Sequence, residues 1–336
     1  MVREAKSSTF RVLNRHYLMR IDCSFLPTFY DYHQSVKAGR RASDADDFKT
    51  IENIWMAFYG LGKFETYQYV YGNCTSLEDL EGWLIGLRGE EQVRASAAAF
   101  DRWMKSGSKE VDMTARDRAV PDDRQLRCWQ EEGYIKVSGL VDAQLCDAVT
   151  GLICRTLGVD LTRRDTWYNS HPAWHGLMLQ LYQDESIHAI RSLPAIRQLF
   201  TELYDSTAII ANTEKVSFNP PESSTWRFCH NSLHWDIDFA KIDLQYIQGL
   251  VYLNDVPENR GPLTVVPGFH HRFEEWIKRY PDPDEAQAVM RKELTGMPVP
   301  GKKGDVILWL QTLPHTASTN YSDLPRFVQY VSFSKC

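Results

Sequence analysis

The chain predicts an α+β protein, mainly β: a sandwich or small barrel braced on one side by helices. Three observations carry that expectation. Helical periodicity fills the first third of the sequence, and hydrophobic alternation of period two sets in near residue 215. The short strand-like runs are separated by Asn, Asp, Gly and Pro turns rather than by repeated strand–helix units, which argues against a doubly wound sheet.

Taken in order, residues 51–105 read as helical. The run "SLEDLEGWLIGLRGEEQVRASAAAFDRWMK" has Ser76 as N-cap, Glu78 and Asp79 in the first turn and apolar residues at helical spacing. The polar segment "SGSKEVDMTARDRAVPDD" has few core-forming residues and reads as a linker or wrapping arm. Residues 1–120 are therefore expected to form a helical N-terminal extension, and 121–336 the main domain. In that domain Gly133 ends a helix, 134–137 form a short strand, and Asp142 caps a helix running to about residue 156. Two further helices are expected near 174–182 and 194–204. Beyond 215 come the strand candidates "KVSF", "LQYIQGLVYL", "PLTVV", "DVILWL" and "RFVQYVSF", with one helical insert over 271–294.

Bulk properties exclude several classes of function. A chain of 336 residues that is 43% hydrophobic and 24% charged has the composition of a globular protein with a sizeable core. Its net charge of −6 and scattered basic residues provide no field for a polyphosphate backbone, so nucleic acid is not an expected partner. No apolar run approaches the ~20 residues of a membrane span. The start of the chain lacks the apolar core of a secretory signal, and a cytoplasmic protein without membrane contact is expected. Seven scattered cysteines without a Cys-x-x-Cys pair argue against a disulfide framework and against a zinc ribbon.

The stretch "NSLHWDIDF" carries the first chemical signal. In an extended chain His234 and Asp236 leave one face while Trp235 and Ile237 leave the other, so the pair can share a cation. Alone the pair is weak, because ten histidines and 44 acidic residues in 336 produce about one such spacing by chance. A satisfied hydrogen bond within a strand explains it equally well. His315, 79 residues after Asp236 and just beyond a buried-looking strand, is the candidate third partner. Two imidazoles and one carboxylate on one face of an octahedral ion leave three positions open, the arrangement of non-haem iron(II) oxygenases.

Four ordered blocks sharpen this. "HWD" at 234–236, "VYLNDVPENRGPLTVVPGFHH" at 251–271, "GDVILW" at 304–309 and "LPHTASTNYSDLPR" at 313–326 resemble the phytanoyl-CoA dioxygenase family of iron(II) and 2-oxoglutarate dependent oxygenases. The resemblance spans roughly residues 125–336. It implies a double-stranded β-helix (jelly-roll) core in which His234, Asp236 and His315 bind iron, with 2-oxoglutarate and O2 as co-substrates. It also implies that Arg326, eleven residues past the distal histidine, receives the far carboxylate of 2-oxoglutarate, a role suited to a planar and permanently charged guanidinium.

One position departs from the family pattern. Ala317 stands where a serine usually helps the arginine, and Thr316 and Ser318 are the candidate replacements. Asn320 matches the family pattern, and Asp236 argues against the halogenating relatives, in which a small residue frees a ligand position. Asn219 in "SFNPP" is a further candidate for the co-substrate site, although capping the turn before Pro220 accounts for it as well. His230, four residues before His234, reads as pocket lining, while His270 and His271 read as a turn leading into a helix. Trp226, Trp235, Trp309, Tyr246 and Tyr252 read as core rather than as a substrate cage. On the last strand Val328 and Tyr330 share parity with Arg326, and Val331 and Phe333 take the other face.

The function expected is oxidation, most simply hydroxylation, of an unactivated C–H bond in a small organic molecule of specialised metabolism. A basic cluster that would await the phosphates of an acyl-CoA is absent from the sequence. An oxidative cyclase or desaturase with the same iron centre, a jelly-roll binding protein without turnover, and a zinc hydrolase are the rival readings. The sequence permits a homodimer.

Overall fold

Cap signals and turn residues divide the chain much as its periodicity suggests. The computed structural model describes residues 21–40, 47–106, 121–229, 232–239 and 241–336, and the chain forms two compact units, Met1–Gly107 and Ser108–Cys336.

The first unit is helical, with α1 (Leu26–Lys37), α2 (Phe48–Tyr59), α3 (Lys63–Gly72), α4 (Leu77–Arg88) and α5 (Glu90–Ser106). Ser76 caps α4 as expected: its hydroxyl accepts from the Asp79 N–H at 3.1 Å, and the Asp79 carboxylate accepts from the Ser76 N–H at 3.0 Å. The helical run over 76–105 is broken at Gly89 (φ +79°), so it packs as two helices rather than one. Phe29, Trp55, Leu80, Leu84 and Phe100 form its apolar centre. The core also encloses His33 and Glu52, each 3% exposed.

The second unit begins with α6 (Asp123–Glu132), capped by Asp122 and ended at Gly133. There follow β1 (Tyr134–Val137) and α7 (Ala143–Leu157), the latter capped by Asp142, whose carboxylate accepts from the Gln144 N–H at 2.7 Å. The expected boundary at residue 120 adjoins 107–120, which lie outside the described residues together with most of the polar segment.

The helix expected over 174–182 is absent. Trp174–His175 (β2) and Met178–Leu179 (β3) make a tight antiparallel pair, followed by α8 (Glu185–Arg191). Gly176 sits at φ +61°, a conformation costly for other residues, and closes the turn. The β3 residues pair with Ser217 and Val216, so tertiary strand pairing overrides a locally helical pattern. The second expected helix forms, as α9 (Pro194–Tyr204).

The remaining strands are β4 (Ile209–Ala211), β5 (Val216–Asn219), β6 (Ile247–Tyr252), β7 (Leu263–Val265), β8 (Met297–Val299), β9 (Val306–Leu310), β10 (His315–Ala317) and β11 (Arg326–Lys335). The single helical insert becomes two helices, α10 (Phe273–Arg279) and α11 (Pro283–Glu293), because Asp282 caps a new start just before Pro283.

Two antiparallel sheets form the jelly roll. The larger runs β1-β9-β6-β11-β5-β3-β2, with β4 also on β11, and the smaller runs β10-β7-β8. Alternation along the strands assigns each residue its layer. On one face of the large sheet Val251, Leu308, Phe327 and Val331 pack with Val149, Ile153, Leu199 and Phe200 of α7 and α9. On the other, Leu250, Tyr252, Ile307, Trp309 and Val328 meet Leu263 and Val265 of the small sheet. The parity expected for Val328 and Tyr330, shared with Arg326, is observed, and it is the inward one: Val328 lies in this inter-sheet cluster and Tyr330 packs beside it. Among the described residues no helix is long and apolar enough to cross a membrane.

Candidate metal centre

His234 lies in a segment without regular strand structure, and main-chain bonds to β10 fix it there. The His234 N–H donates to the His315 carbonyl and the His315 N–H to the His234 carbonyl, both at 3.0 Å. From α11, the Arg291 Nε donates to the Leu233 carbonyl at 2.8 Å and steadies the same segment. Trp235 turns into the core, where its indole N–H donates to the Thr312 carbonyl at 2.9 Å. The expected alternation therefore holds outside a regular strand, and His234 and Asp236 share a side.

The topology brings His315 to this pair. The candidate ligand atoms of His234, Asp236 and His315 lie within 4.8 Å of one another and can hold a metal ion. Asp236 Oδ1 is 3.8 Å from His234 Nε2, and Asp236 Oδ2 is 3.4 Å from His315 Nε2. Each imidazole has its Nδ1 at a backbone carbonyl, Ser232 at 3.0 Å and Leu313 at 3.1 Å. A carbonyl only accepts, so Nδ1 carries the hydrogen and Nε2 keeps a lone pair aimed at the shared point.

Electrostatics suit a cation. Burial, together with the neighbouring His315, lowers the His234 pKa and favours the neutral, ligating imidazole. Desolvation opposes charge on Asp236. The neighbouring His315 and His234 imidazoles and the Gln248 amide outweigh it and hold the carboxyl well below the usual carboxylate range.

Gln248 was not singled out from the sequence. Its amide donates to Asp236 Oδ2 at 3.0 Å, while its carbonyl accepts from the Trp309 indole at 3.1 Å, which fixes the orientation of the amide. A polar residue at the inward parity of an otherwise apolar β6 was the available signal.

The triad opens into a cavity of about 310 Å³ between the sheets. Arg326, 1% exposed at the start of β11, also lines it. One guanidinium nitrogen donates to the Gly261 carbonyl and another to the Ser217 hydroxyl at 3.4 Å, while Nε has no partner. Among the described residues no carboxylate pairs with this buried charge. Gly261 has φ +65°, and a Cβ there would come within 2.6 Å of the Ser318 carbonyl oxygen, so glycine permits the close backbone approach that Arg326 uses.

The other candidates are distributed unevenly. Thr316 and Ala317 line the cavity with Arg326. The Ser318 hydroxyl instead pairs with Thr264 Oγ1 at 2.5 Å and borders a more open hollow of about 480 Å³, in which no ligating cluster occurs among the described residues. Asn219 stands opposite Arg326 in the β5–β11 register. Its amide nitrogen donates to the Ser318 carbonyl at 3.4 Å and its buried Oδ1 lacks a partner, but its side chain does not line the cavity. Asn320 braces the loop before Arg326, donating to the carbonyls of Asn219 and Leu324, each at 2.9 Å. Ser217, inward on β5, supplies the hydroxyl nearest the guanidinium that sequence reasoning sought around residue 317.

His230 lies outside the described residues. His270 and His271 belong to a 3-10 turn and reach the Gln130 and Glu131 carbonyls, each at 3.2 Å. Of the aromatic group, Trp235 and Tyr252 are core, while Trp309 and Tyr246 also border the cavity.

The residues present fit the cofactor and co-substrate of an iron oxygenase. Two lone-pair imidazole nitrogens and a carboxylate suit a divalent transition metal, and a buried, unneutralised guanidinium with an orphaned N–H suits a carboxylate co-substrate.

Comparison with a family profile agrees. The family profile of phytanoyl-CoA dioxygenase (PhyH) matches residues 129–328. Similar solved structures include SnoN, a non-heme alpha ketoglutarate dependent epimerase from nogalamycin biosynthesis, with 21% identity and a TM-score of 0.48 over 63% of this chain and 81% of that one. They also include SnoK, a carbocyclase from the same biosynthesis, with 17% identity and a TM-score of 0.49 over 63% of this chain and 83% of that one. EctD from S. alaskensis with bound Fe has 16% identity and a TM-score of 0.49 over 67% and 80% of the two chains. No curated protein matches. The profile spans more than half of the chain, which belongs to the phytanoyl-CoA dioxygenase (PhyH) family of iron(II) and 2-oxoglutarate dependent oxygenases.

Proposed function

We propose that His234, Asp236 and His315 bind ferrous iron, that Arg326 binds the far carboxylate of 2-oxoglutarate, and that the enzyme oxidises a C–H bond of a small organic molecule. The observation that carries this reading is the convergence, in one cavity, of two imidazoles with free Nε2 atoms, one carboxylate and one unneutralised buried arginine. Iron held by His234, Asp236 and His315 would supply, with oxygen and 2-oxoglutarate, the oxidising chemistry that removes a hydrogen atom from substrate, with succinate and carbon dioxide as co-products.

The protein's own contribution is geometric and electrostatic. Ser232 and Leu313 carbonyls keep the imidazoles in their ligating tautomer, and Gln248 orients Asp236. Ser217 and the Gly261 carbonyl hold the guanidinium plane, leaving Nε to the co-substrate. Thr316 is the cavity-lining hydroxyl assigned to the co-substrate side, whereas Ser318 and Asn219 support the surrounding loop. Leu177, Phe228, Leu250, Leu263 and Trp309 give the cavity an apolar lining that limits water around the reacting carbon.

We assign this chemistry to residues 121–336, since every residue named for it falls there, and 1–120 to a helical extension. Seven free cysteines support a reducing compartment, the cytoplasm. Anaerobic titration with ferrous iron and then 2-oxoglutarate should develop a weak visible charge-transfer band, and admission of air should release succinate. Product mass then separates hydroxylation, which adds one oxygen atom, from desaturation or cyclisation, which removes two hydrogens. Absence of both band and succinate would leave a binding protein on the same fold.

A further inference from the structure

The cavity holds a second charged constellation that iron and 2-oxoglutarate leave unused. Glu214 and Lys215 both line it, although consecutive residues of a strand point to opposite faces. Both can do so because they fall in the irregular connection between β4 and β5. Lys215 Nζ and Glu214 Oε2 are 3.6 Å apart, an ion pair longer than a hydrogen bond.

Each charge is held by the framework behind it. The Ser332 hydroxyl donates to Glu214 Oε1 at 2.8 Å, and Asn212 braces that serine through its amide at 3.1 Å. The same amide reaches the Tyr246 hydroxyl at 3.3 Å. Lys215 accepts the Tyr330 N–H on its backbone carbonyl at 3.1 Å and lays its ammonium 5.4 Å from the Tyr330 ring centre. Burial acts to discharge Lys215, but Glu214, Tyr330 and Asp236 more than offset it, so the ammonium keeps its charge.

Resting on the oxygenase reading above, we propose that this pair selects a zwitterionic substrate, a free α-amino acid or a close analogue, with its carboxylate on Lys215 and its ammonium on Glu214. Three features exclude other classes. Metal neutralises Asp236 and co-substrate neutralises Arg326, so the remaining charges of the pair sum to zero and favour a ligand with one of each sign. A cavity of about 310 Å³, shared with 2-oxoglutarate, is near the lower limit of small-molecule pockets and too small to enclose a coenzyme A thioester. Leu177, Met178 and Phe228, which line the same cavity, are apolar and suit an aliphatic side chain.

The test is calorimetry under nitrogen, in which the twenty common L-amino acids are titrated into protein carrying ferrous iron and 2-oxoglutarate. For the tightest binder, the corresponding amine without the carboxylate and acid without the amino group follow. At least one amino acid should bind, with each single-charge analogue weaker by about tenfold or more. Lys215→Met should erase the advantage over the amine, and Glu214→Gln the advantage over the acid. The inference is overturned if no amino acid binds, if a single-charge analogue binds as well, or if the two variants discriminate as the parent does. The visible band, read before each titration, reports on the iron site separately. Loss of the band sinks the oxygenase reading, whereas a normal band without charge discrimination sinks only the zwitterion.

Discussion

Both units bury histidine beside a carboxylate, and they use the imidazole in opposite ways. In the helical unit His33 engages both nitrogens, Nε2 with Glu52 at 2.6 Å and Nδ1 with the Tyr71 hydroxyl at 2.7 Å. In the two-sheet unit His234 and His315 each tie Nδ1 to a carbonyl two residues earlier and turn Nε2 toward Asp236 at distances beyond a good hydrogen bond. The first pattern completes a core. The second leaves lone pairs converging on a point where a cation can bind. Proximity of His to acid is thus uninformative by itself, and what distinguishes a ligand is the nitrogen left over.

Breaking the second pattern should have the largest effect. His315→Ala should reduce iron affinity and succinate release by more than about a hundredfold, because the lost group is a proposed ligand rather than its support. Atomic absorption after desalting checks the first quantity, and the denaturant midpoint should move little by comparison.

The mirror-image change is His33→Ala. It leaves Glu52 buried without its partner and should destabilise the helical unit by about 3–5 kcal/mol, with iron binding by the other unit unchanged. Urea unfolding followed by tryptophan fluorescence, with iron titration of the same sample, reads both. Loss of iron binding in this variant would erase the distinction between the two histidine environments.

Arg326→Gln sharpens the comparison from the side of charge. Removing the buried partner of a carboxylate costs roughly 2 kcal/mol or more, so KM for 2-oxoglutarate should rise at least about thirtyfold. Arg326→Lys should recover only part of this, since an ammonium lacks the planar fork.

A smaller effect is expected of Gln248→Leu. It frees Asp236 from its orienting amide and should lower iron affinity by about tenfold to a hundredfold while all three ligands remain.

The least effect concerns a property that the two units share. Burial pushes the thiols of Cys74, in the helical unit, and Cys146, in the two-sheet unit, from an ordinary 9.0 up to about 11. A raised folded-state pKa means that the unfolded chain releases its proton first. Both units should therefore keep this contribution below pH 9.0 and lose it as pH rises toward about 11. Denaturant midpoints across that window test it. At neutral pH, alkylation followed by mass mapping should modify the exposed Cys229 well before these two.

Much of this arrangement is legible along the chain. Ser76 and Asp142 cap helices where local chemistry says they should, and the parity that Val328 and Tyr330 share with Arg326 follows from the two-residue period of a strand. The residues of the triad stand out because histidines and an acid recur within ordered motifs. What failed, failed for a shared reason. The pattern at 174–182 is helical in isolation and becomes a hairpin because β5 offers it hydrogen bonds. Gln248, Ser217, Glu214 and Lys215 are ordinary polar residues in sequence, and acquire meaning through what stands opposite them.

The sequence by itself determined the caps, the periods and, through motifs matched in order, the family and the candidate donor set, since each depends on residue identity and on spacing along the chain. Only the tertiary structure decided which nitrogen of each histidine is free, that Arg326 has no acid beside it among the described residues, and that Glu214 and Lys215 share the triad's cavity. The last two are relations between distant segments, as for Ser217 and Arg326, 109 positions apart, and local patterning carries no information about such pairs until the sheets close.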